Sequence, residues 1–276
     1  MTLTRGLVVT HGPQAHTLRC ERGLAWREVV YNRFSMCALK RLVWAAGWLA
    51  GFAAGPGVAT GAVPGGSIAV TSDYVLRGVS QSDGRPALQG EAHWSFAPGW
   101  SSGFWASQVR LAPAHESAEI GSYLQWRGAL SEDFDLSASA AHYSYANDPR
   151  PIRYSYNELG VSLSWRDQLY VAASWTPKLN LYSYIDGLAG DRQVLTLEAS
   201  LHRNLRPRLD LTAGIGLYYP KDLDYASYAY GNAALAWHYG HWHADLGWFW
   251  VQNAAHRRYS SGRAGGPLAA NLRWSF

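Results

Sequence analysis

The sequence predicts an all-β protein, a transmembrane antiparallel up-and-down β-barrel of about twelve strands following an N-terminal signal peptide. Three observations predict it. Successive segments alternate in polarity from Ser67 to the C-terminal Phe276, the composition is rich in aromatics and glycine but poor in charge, and a short apolar run behind Lys40 and Arg41 precedes them all.

Of the 276 residues, 16% are charged and 14% aromatic, and 28 are glycine. Soluble globular chains carry about a quarter of their residues as charges. Yet the mean hydropathy lies slightly below zero. That excludes a bundle of membrane helices, each of which needs about 20 apolar residues in a row. Strands wet on one face and apolar on the other satisfy both facts.

The net charge of +4 is unevenly placed. Up to Ala62 seven bases (Arg5, Arg19, Arg22, Arg27, Arg33, Lys40 and Arg41) face two acids, Glu21 and Glu28. Removing that excess of five leaves the remainder at −1, so no nucleic-acid partner is implied. Cys20 and Cys37 fall in the same region, which leaves the rest of the chain without a disulfide or a thiolate metal site.

Met36 reads as the start of translation, with residues 1–35 a disordered, over-extended N-terminus. Lys40 and Arg41 form a charged n-region, Leu42 to Ala54 an apolar core, and Thr60-Gly61-Ala62 a small-residue cleavage site. This is the three-part pattern of a secretory signal over 36–62, exported through the Sec pathway. The barrel domain then occupies 63–276.

In 207–219, Leu209, Leu211, Ala213, Ile215 and Leu217 share one face, and Asp210, Thr212, Gly214 and Gly216 the other. In 241–251, Trp242, Ala244, Leu246, Trp248 and Trp250 oppose His243, Asp245 and Gly247. A period of two puts every second side chain on one face of a strand. The same reading gives strands near 67–79, 87–97, 101–111, 118–130, 134–146, 153–166, 169–182, 191–204, 208–219, 228–239, 241–253 and 266–276. Tight turns such as Pro98-Gly99, Arg166-Asp167 and Tyr239-Gly240 alternate with longer polar links. Short periplasmic turns and longer outer loops are the habit of bacterial barrels.

Trp94, Phe96, Trp126, Trp165, Trp237, Trp274 and Phe276 fall near the short-turn ends, and Tyr143, Tyr145, Tyr154, Tyr156, Tyr182, Tyr184, Tyr218 and Tyr219 near the others. They are expected to form two girdles at the headgroup levels of an outer membrane. In hydrocarbon an unpaired backbone group costs several kcal/mol, so such a sheet must close on itself.

The stretch Thr71-Ser72-Asp73-Tyr74-Val75-Leu76-Arg77-Gly78-Val79-Ser80-Gln81-Ser82-Asp83-Gly84, continuing Pro86-Ala87-Leu88-Gln89-Gly90, resembles the opening signature of the TorF-type porin family of proteobacterial outer-membrane β-barrels. That resemblance implies a channel for small solutes and supplies no catalytic residue. The ending Leu272-Arg273-Trp274-Ser275-Phe276 is similar to the signal that the barrel-assembly machinery reads, which makes Trp274 and Phe276 its anchor residues.

Asp73 and Arg77, four apart on one predicted strand, are expected to face the lumen, each with a partner. The other lumen candidates are Glu91, Arg110, Glu119, Arg127, Glu158, Glu198 and Asp245, joined by Asp135, Asp210, Arg166, Lys178, Arg192 and Arg273. The signs nearly balance, which leaves two pictures: a narrow pore of weak ion preference, or an interior bridged by salt links and shut. No cofactor is expected.

Two other classes remain open at this stage. His142 and Ser144, two apart on the lipid face, resemble the nucleophile and base of an outer-membrane phospholipase, though neither an orienting group nor an oxyanion hole is legible. His238, His241 and His243 cluster at a turn and read as interfacial histidines rather than metal ligands. A plugged structural barrel is the third class.

Overall fold

The alternation becomes strand pairing all the way round. The computed structural model describes residues 63–111, 115–147, 155–180, 191–223, 227–252 and 267–276, so the predicted signal over 36–62 and the predicted extension over 1–35 lie outside the described residues. Among them the strands are β1 (Val63–Thr71), β2 (Val75–Leu76), β3 (Val79–Ser80), β4 (Ala87–Ala97), β5 (Trp100–Leu111), β6 (His115–Ala129), β7 (Phe134–Ala146), β8 (Tyr156–Trp165), β9 (Leu169–Asn180), β10 (Asp191–Arg206), β11 (Leu209–Pro220), β12 (Tyr228–Tyr239), β13 (Trp242–Val251) and β14 (Leu268–Ser275). Twelve close an antiparallel barrel in the order β1-β14-β13-β12-β11-β10-β9-β8-β7-β6-β5-β4; β2 and β3 form a separate sheet. β1 pairs with β4 over nine positions, from Val63↔Ser95 to Thr71↔Ala87. Its pairing with β14 covers five, from Ser67↔Ser275 to Thr71↔Asn271.

The faces divide as the period requires. Along β10, Leu195, Leu197 and Leu201 are exposed while Val194, Thr196 and His202 are buried. Along β13, Leu246, Trp248 and Trp250 point out while His243, Asp245 and Val251 point in. Ile215 on β11 is 68% exposed. An apolar surface this continuous would drive association in water and is satisfied in hydrocarbon. Leu197→Arg, near the middle of β10, is therefore expected to lower folding stability in lipid vesicles by about 2–4 kcal/mol. Urea titration followed by tryptophan fluorescence measures it.

At one end the strands are joined by short turns through Gly99, Arg166-Asp167, Arg208 and Gly240, all at positive φ. Trp94, Phe96, Trp165, Trp237, Trp274 and Phe276 are exposed near this end, as a girdle requires. The opposite girdle departs from expectation. Tyr143, Tyr156 and Tyr218 are buried in the lumen and Tyr145 reaches Glu119 there; of the predicted set Tyr219 stands outside as expected, joined by Trp250. Height along a strand does not by itself fix the face: odd positions of β7 point inward with Ala141, even ones outward with His142. Tyr154, Tyr182 and Tyr184 lie outside the described residues.

The second departure is the first strand. It stops at Thr71 rather than running to 79, and the chain turns inward.

Candidate functional site

Thr71 ends β1 by donating its hydroxyl to the carbonyl of Asp73 at 2.7 Å. The next residues form a two-stranded hairpin, Val75↔Ser80 and Leu76↔Val79, around Arg77-Gly78. Both tip residues have positive φ, 50° and 77°. A two-residue hairpin turn asks for that conformation at both positions, which is why asparagine and glycine dominate there. Gly78 meets the demand freely. It also has no room for a side chain, because a Cβ would sit 2.8 Å from Val251 Cβ and 3.0 Å from Tyr230 Cβ. Arg77 does not meet it freely; a non-glycine residue in this region costs about 1–2 kcal/mol.

The hairpin is bonded to itself. Ser80 Oγ and Ser82 Oγ donate to Asp73 Oδ1 at 2.5 and 2.8 Å. Tyr74 N donates to Ser82 Oγ at 2.9 Å, and Gln81 N to the carbonyl of Tyr74 at 2.6 Å. Asp73 is thus the clasp of the hairpin rather than a strand residue in line with Arg77.

It also spans the lumen. Arg110 N donates to the carbonyl of Gln81 at 2.7 Å near the hairpin's base. At the tip Arg77 Nη2 donates to Glu158 Oε2 at 2.6 Å and to Ser174 Oγ at 3.1 Å. These residues belong to β8 and β9, the fifth and sixth neighbours of β1 around a ring of twelve, hence directly across it. Both charged side chains are buried, 8% and 7% exposed.

Around the bar the wall is aromatic. Val79 packs in one buried cluster with Trp105, Tyr123, Tyr143, Tyr156, Tyr228 and Tyr230. Tyr143 stacks on Tyr156 with centroids 4.5 Å apart, and Trp105 meets Tyr143 edge-on at 5.0 Å. The rings fit because glycines lie under them. A Cβ on Gly121 would fall 1.8 Å from the Trp105 ring, and one on Gly216 2.3 Å from the Tyr230 ring. Inward glycines of the sequence are seats for these rings, covered as aromatic side chains cover glycine in other sheets.

The lumen acids collect donors. Tyr123 Oη donates to Glu91 Oε1 at 2.9 Å, and His93 Nδ1 lies 3.2 Å from the same oxygen. Glu119, wholly buried, receives Tyr145 Oη at 2.8 Å, with Tyr74 Oη and Trp105 Nε1 each at 3.3 Å. Tyr230 Oη donates to Glu198 Oε1 at 2.6 Å. Nearer the short turns, Asn271 Nδ2 donates to Asp245 Oδ2 at 2.7 Å. Arg127 pairs with Asp135, and with Asp167 at 3.0 Å. Arg110 pairs with the exposed Glu116 at 2.6 Å. Arg273 is 1% exposed.

Two predicted lumen bases are elsewhere. Arg166 is exposed in a turn, where its hydrogen bond to Asp133 at 2.7 Å holds that carboxyl below its ordinary range. Lys178 is exposed while Thr176 and Leu179 are buried, because β9 carries one extra residue at Pro177-Lys178 where the register with β10 shifts. Such a bulge reverses the parity beyond it. Arg192, opposite this bulge, is half-buried.

Sequence reasoning placed Asp210 inside but missed the histidines gathered around it. Asp210 lies 3.7 Å from His202 Nε2 and 3.4 Å from His238 Nδ1, and accepts from Asn204 Nδ2 at 2.9 Å. His243 is buried inside rather than interfacial, and only His241 stays in the turn, 2.7 Å from the carbonyl of Ser275. Among the described residues no group of His, Cys, Asp or Glu is placed to hold a metal ion.

On the outer face His142 Nδ1 lies 2.9 Å from Asn157 Oδ1, so an orienting partner does exist. Ser144 Oγ donates to the carbonyl of Ile120 at 3.2 Å rather than to the imidazole.

Residues 57–264 match the model of a family described as "Bacterial protein of unknown function (Gcw_chp)". No curated protein matches the chain in sequence. Among solved structures it is similar to a KdgM porin at 11% identity, covering 78% of this chain and 99% of that one with a TM-score of 0.49. A NanC porin is similar at 11% identity, 77% and 98% coverage and a TM-score of 0.49. The outer membrane protein OprD from Pseudomonas aeruginosa is similar at 9% identity, 70% and 59% coverage and a TM-score of 0.36.

Proposed function

The chain belongs to the Gcw_chp family of bacterial proteins of unknown function, and from that premise we propose that it is an outer-membrane channel for passive passage of small solutes, narrowed by the β2–β3 hairpin. One observation carries the reading: a single closed wall turns leucine, isoleucine and tryptophan outward and glutamate, tyrosine and arginine inward. Such a wall puts lipid outside and a polar path within. The likeness of residues 71–90 to the TorF-type signature supports the same reading. Twelve strands enclose less space than the wide 16–18-stranded porins, which suits one small solute at a time.

In this reading Glu91, Glu119, Glu158 and Glu198 line the path, with Asp245 on the short-turn side, Arg110 and Arg127 near its two ends, and Asp73 and Arg77 on the hairpin. The signal over 36–62 directs Sec export, and exposed Trp274 and Phe276 are presented to the barrel-assembly machinery. The test is planar-bilayer conductance of the purified protein. Small, discrete steps are expected, and a silent bilayer at high protein load overturns the channel.

The His142–Asn157 contact favours a second reading as a lipid-acting enzyme, but its nucleophile is turned away and engaged elsewhere. A hydroxyl activates only when the imidazole can take its proton. Fatty-acid release from phospholipid vesicles is therefore expected to stay at background for the purified protein and to be unchanged by Ser144→Ala. Turnover lost on that substitution would establish the enzyme instead.

A further inference from the structure

Four glutamates face the lumen from alternate strands: Glu91 of β4, Glu119 of β6, Glu158 of β8 and Glu198 of β10. Glu91, Glu119 and Glu198 take tyrosine hydroxyls. Glu158 takes a guanidinium, and the wall does not supply it; the hairpin does. We propose that the pocket around this guanidinium is a binding site for cationic solutes of the guanidinium or alkylammonium class, and that Arg77 fills it as a tethered surrogate while the hairpin is in. The proposal rests on the channel reading and adds to it the class of solute.

Three features support the site. Its floor accepts a cationic N–H group: Glu158 Oε2 and Ser174 Oγ accept from Nη2, and Thr176 Oγ1 donates to Glu158 Oε2 at 3.4 Å. Glu198 and the phenols of Tyr156 and Tyr230 complete its electrostatic surroundings. Electron-rich rings beside paired carboxylates favour a weakly hydrated cation over an anion.

The second feature is the strained tip. Asparagine or glycine would form the same turn without strain. A residue held at φ 50° against its preference points to what its side chain touches.

The third is the energetics of displacement. A neutral or anionic solute that pushed the hairpin aside would leave Glu158 buried without a cation, which is strongly unfavourable. A cationic solute replaces what it displaces. Exchange of one guanidinium for another keeps the carboxylate compensated throughout, so the hairpin discriminates by charge as it yields.

The experiment uses the purified full protein in detergent, with Arg77→Gly as the vacated site, since glycine accepts the tip conformation without strain. Methylguanidinium is titrated by calorimetry. Binding to Arg77→Gly is expected, weaker by about tenfold or more in Arg77→Gly/Glu158→Gln, with no heat from acetate. Arg77→Asn serves equally, asparagine being the other residue this turn accepts. Absence of methylguanidinium binding to both folded single variants, or equal binding by the double variant, overturns the site. Conductance read in parallel separates the two claims. Binding with a silent bilayer removes the channel and keeps the cation site, whereas steps without binding keep the channel and remove the site.

Discussion

Replacing Tyr74–Gln81 with a short glycine–serine link is expected to raise the single-channel conductance several-fold above that of the intact chain. Current through a narrow aqueous path is limited at its tightest section, and here that section holds a bar of protein. The bar starts beside β4, closes its tip against Tyr230 and Val251, and sends Arg77 to the opposite wall. Val79 packs among the buried rings. Removing it leaves an aromatic passage with Glu119 and Glu158 open to solution. Four wall glutamates would then act without the hairpin's cation, so reversal potentials in a salt gradient should shift toward cation preference. Unchanged step size would mean that ions follow a route the hairpin does not obstruct.

Arg77→Met is expected to destabilise the barrel by about 3 kcal/mol, because it leaves the Glu158 carboxylate buried without its partner. The pair is 8% and 7% exposed, so solvent screens it little. Methionine keeps most of the arginine's length and adds no charge, which confines the change to the guanidinium's contacts with Glu158 and Ser174. The double variant Arg77→Met/Glu158→Gln should recover most of the loss, since a neutral amide needs no counter-charge. Urea unfolding in lipid vesicles reads both numbers. A double variant as unstable as the single one would assign the hairpin's hold to its apolar contacts rather than to charge.

Most of the fold was legible because a membrane barrel repeats one rule twelve times. The predicted strands 87–97 and 134–146 coincide with β4 and β7. The places that were not legible share one cause: an apolar residue on a strand does not say whether lipid or another protein segment covers it. Val75 and Val79 look like continued alternation of the first strand, yet both are buried inside the barrel. The informative residues there are Gly78 and the serines around Asp83, which are turn formers. Tyr143, Tyr156 and Tyr218 were placed at the lipid headgroups for the same reason, although the outward setting of His142 and Ser144 already implied the reverse for Tyr143. Of the candidate site, parity predicts the inward setting of Glu91, Glu119, Glu158 and Asp245, all of them buried, but not the place of Asp73 in the hairpin. The partners of these acids were not legible, because Glu158 and Arg77 are 81 positions apart and meet only after the ring has closed.

That ring is sewn unevenly. Neighbouring strands such as β5 and β6 share twelve facing positions, whereas the seam where the last strand returns to the first has five. Strand addition in chain order would leave this junction to be fastened last, with few rungs to zip. Under heat or force the cylinder should part there first, unrolling along one lengthwise line while its curved sheet is still intact.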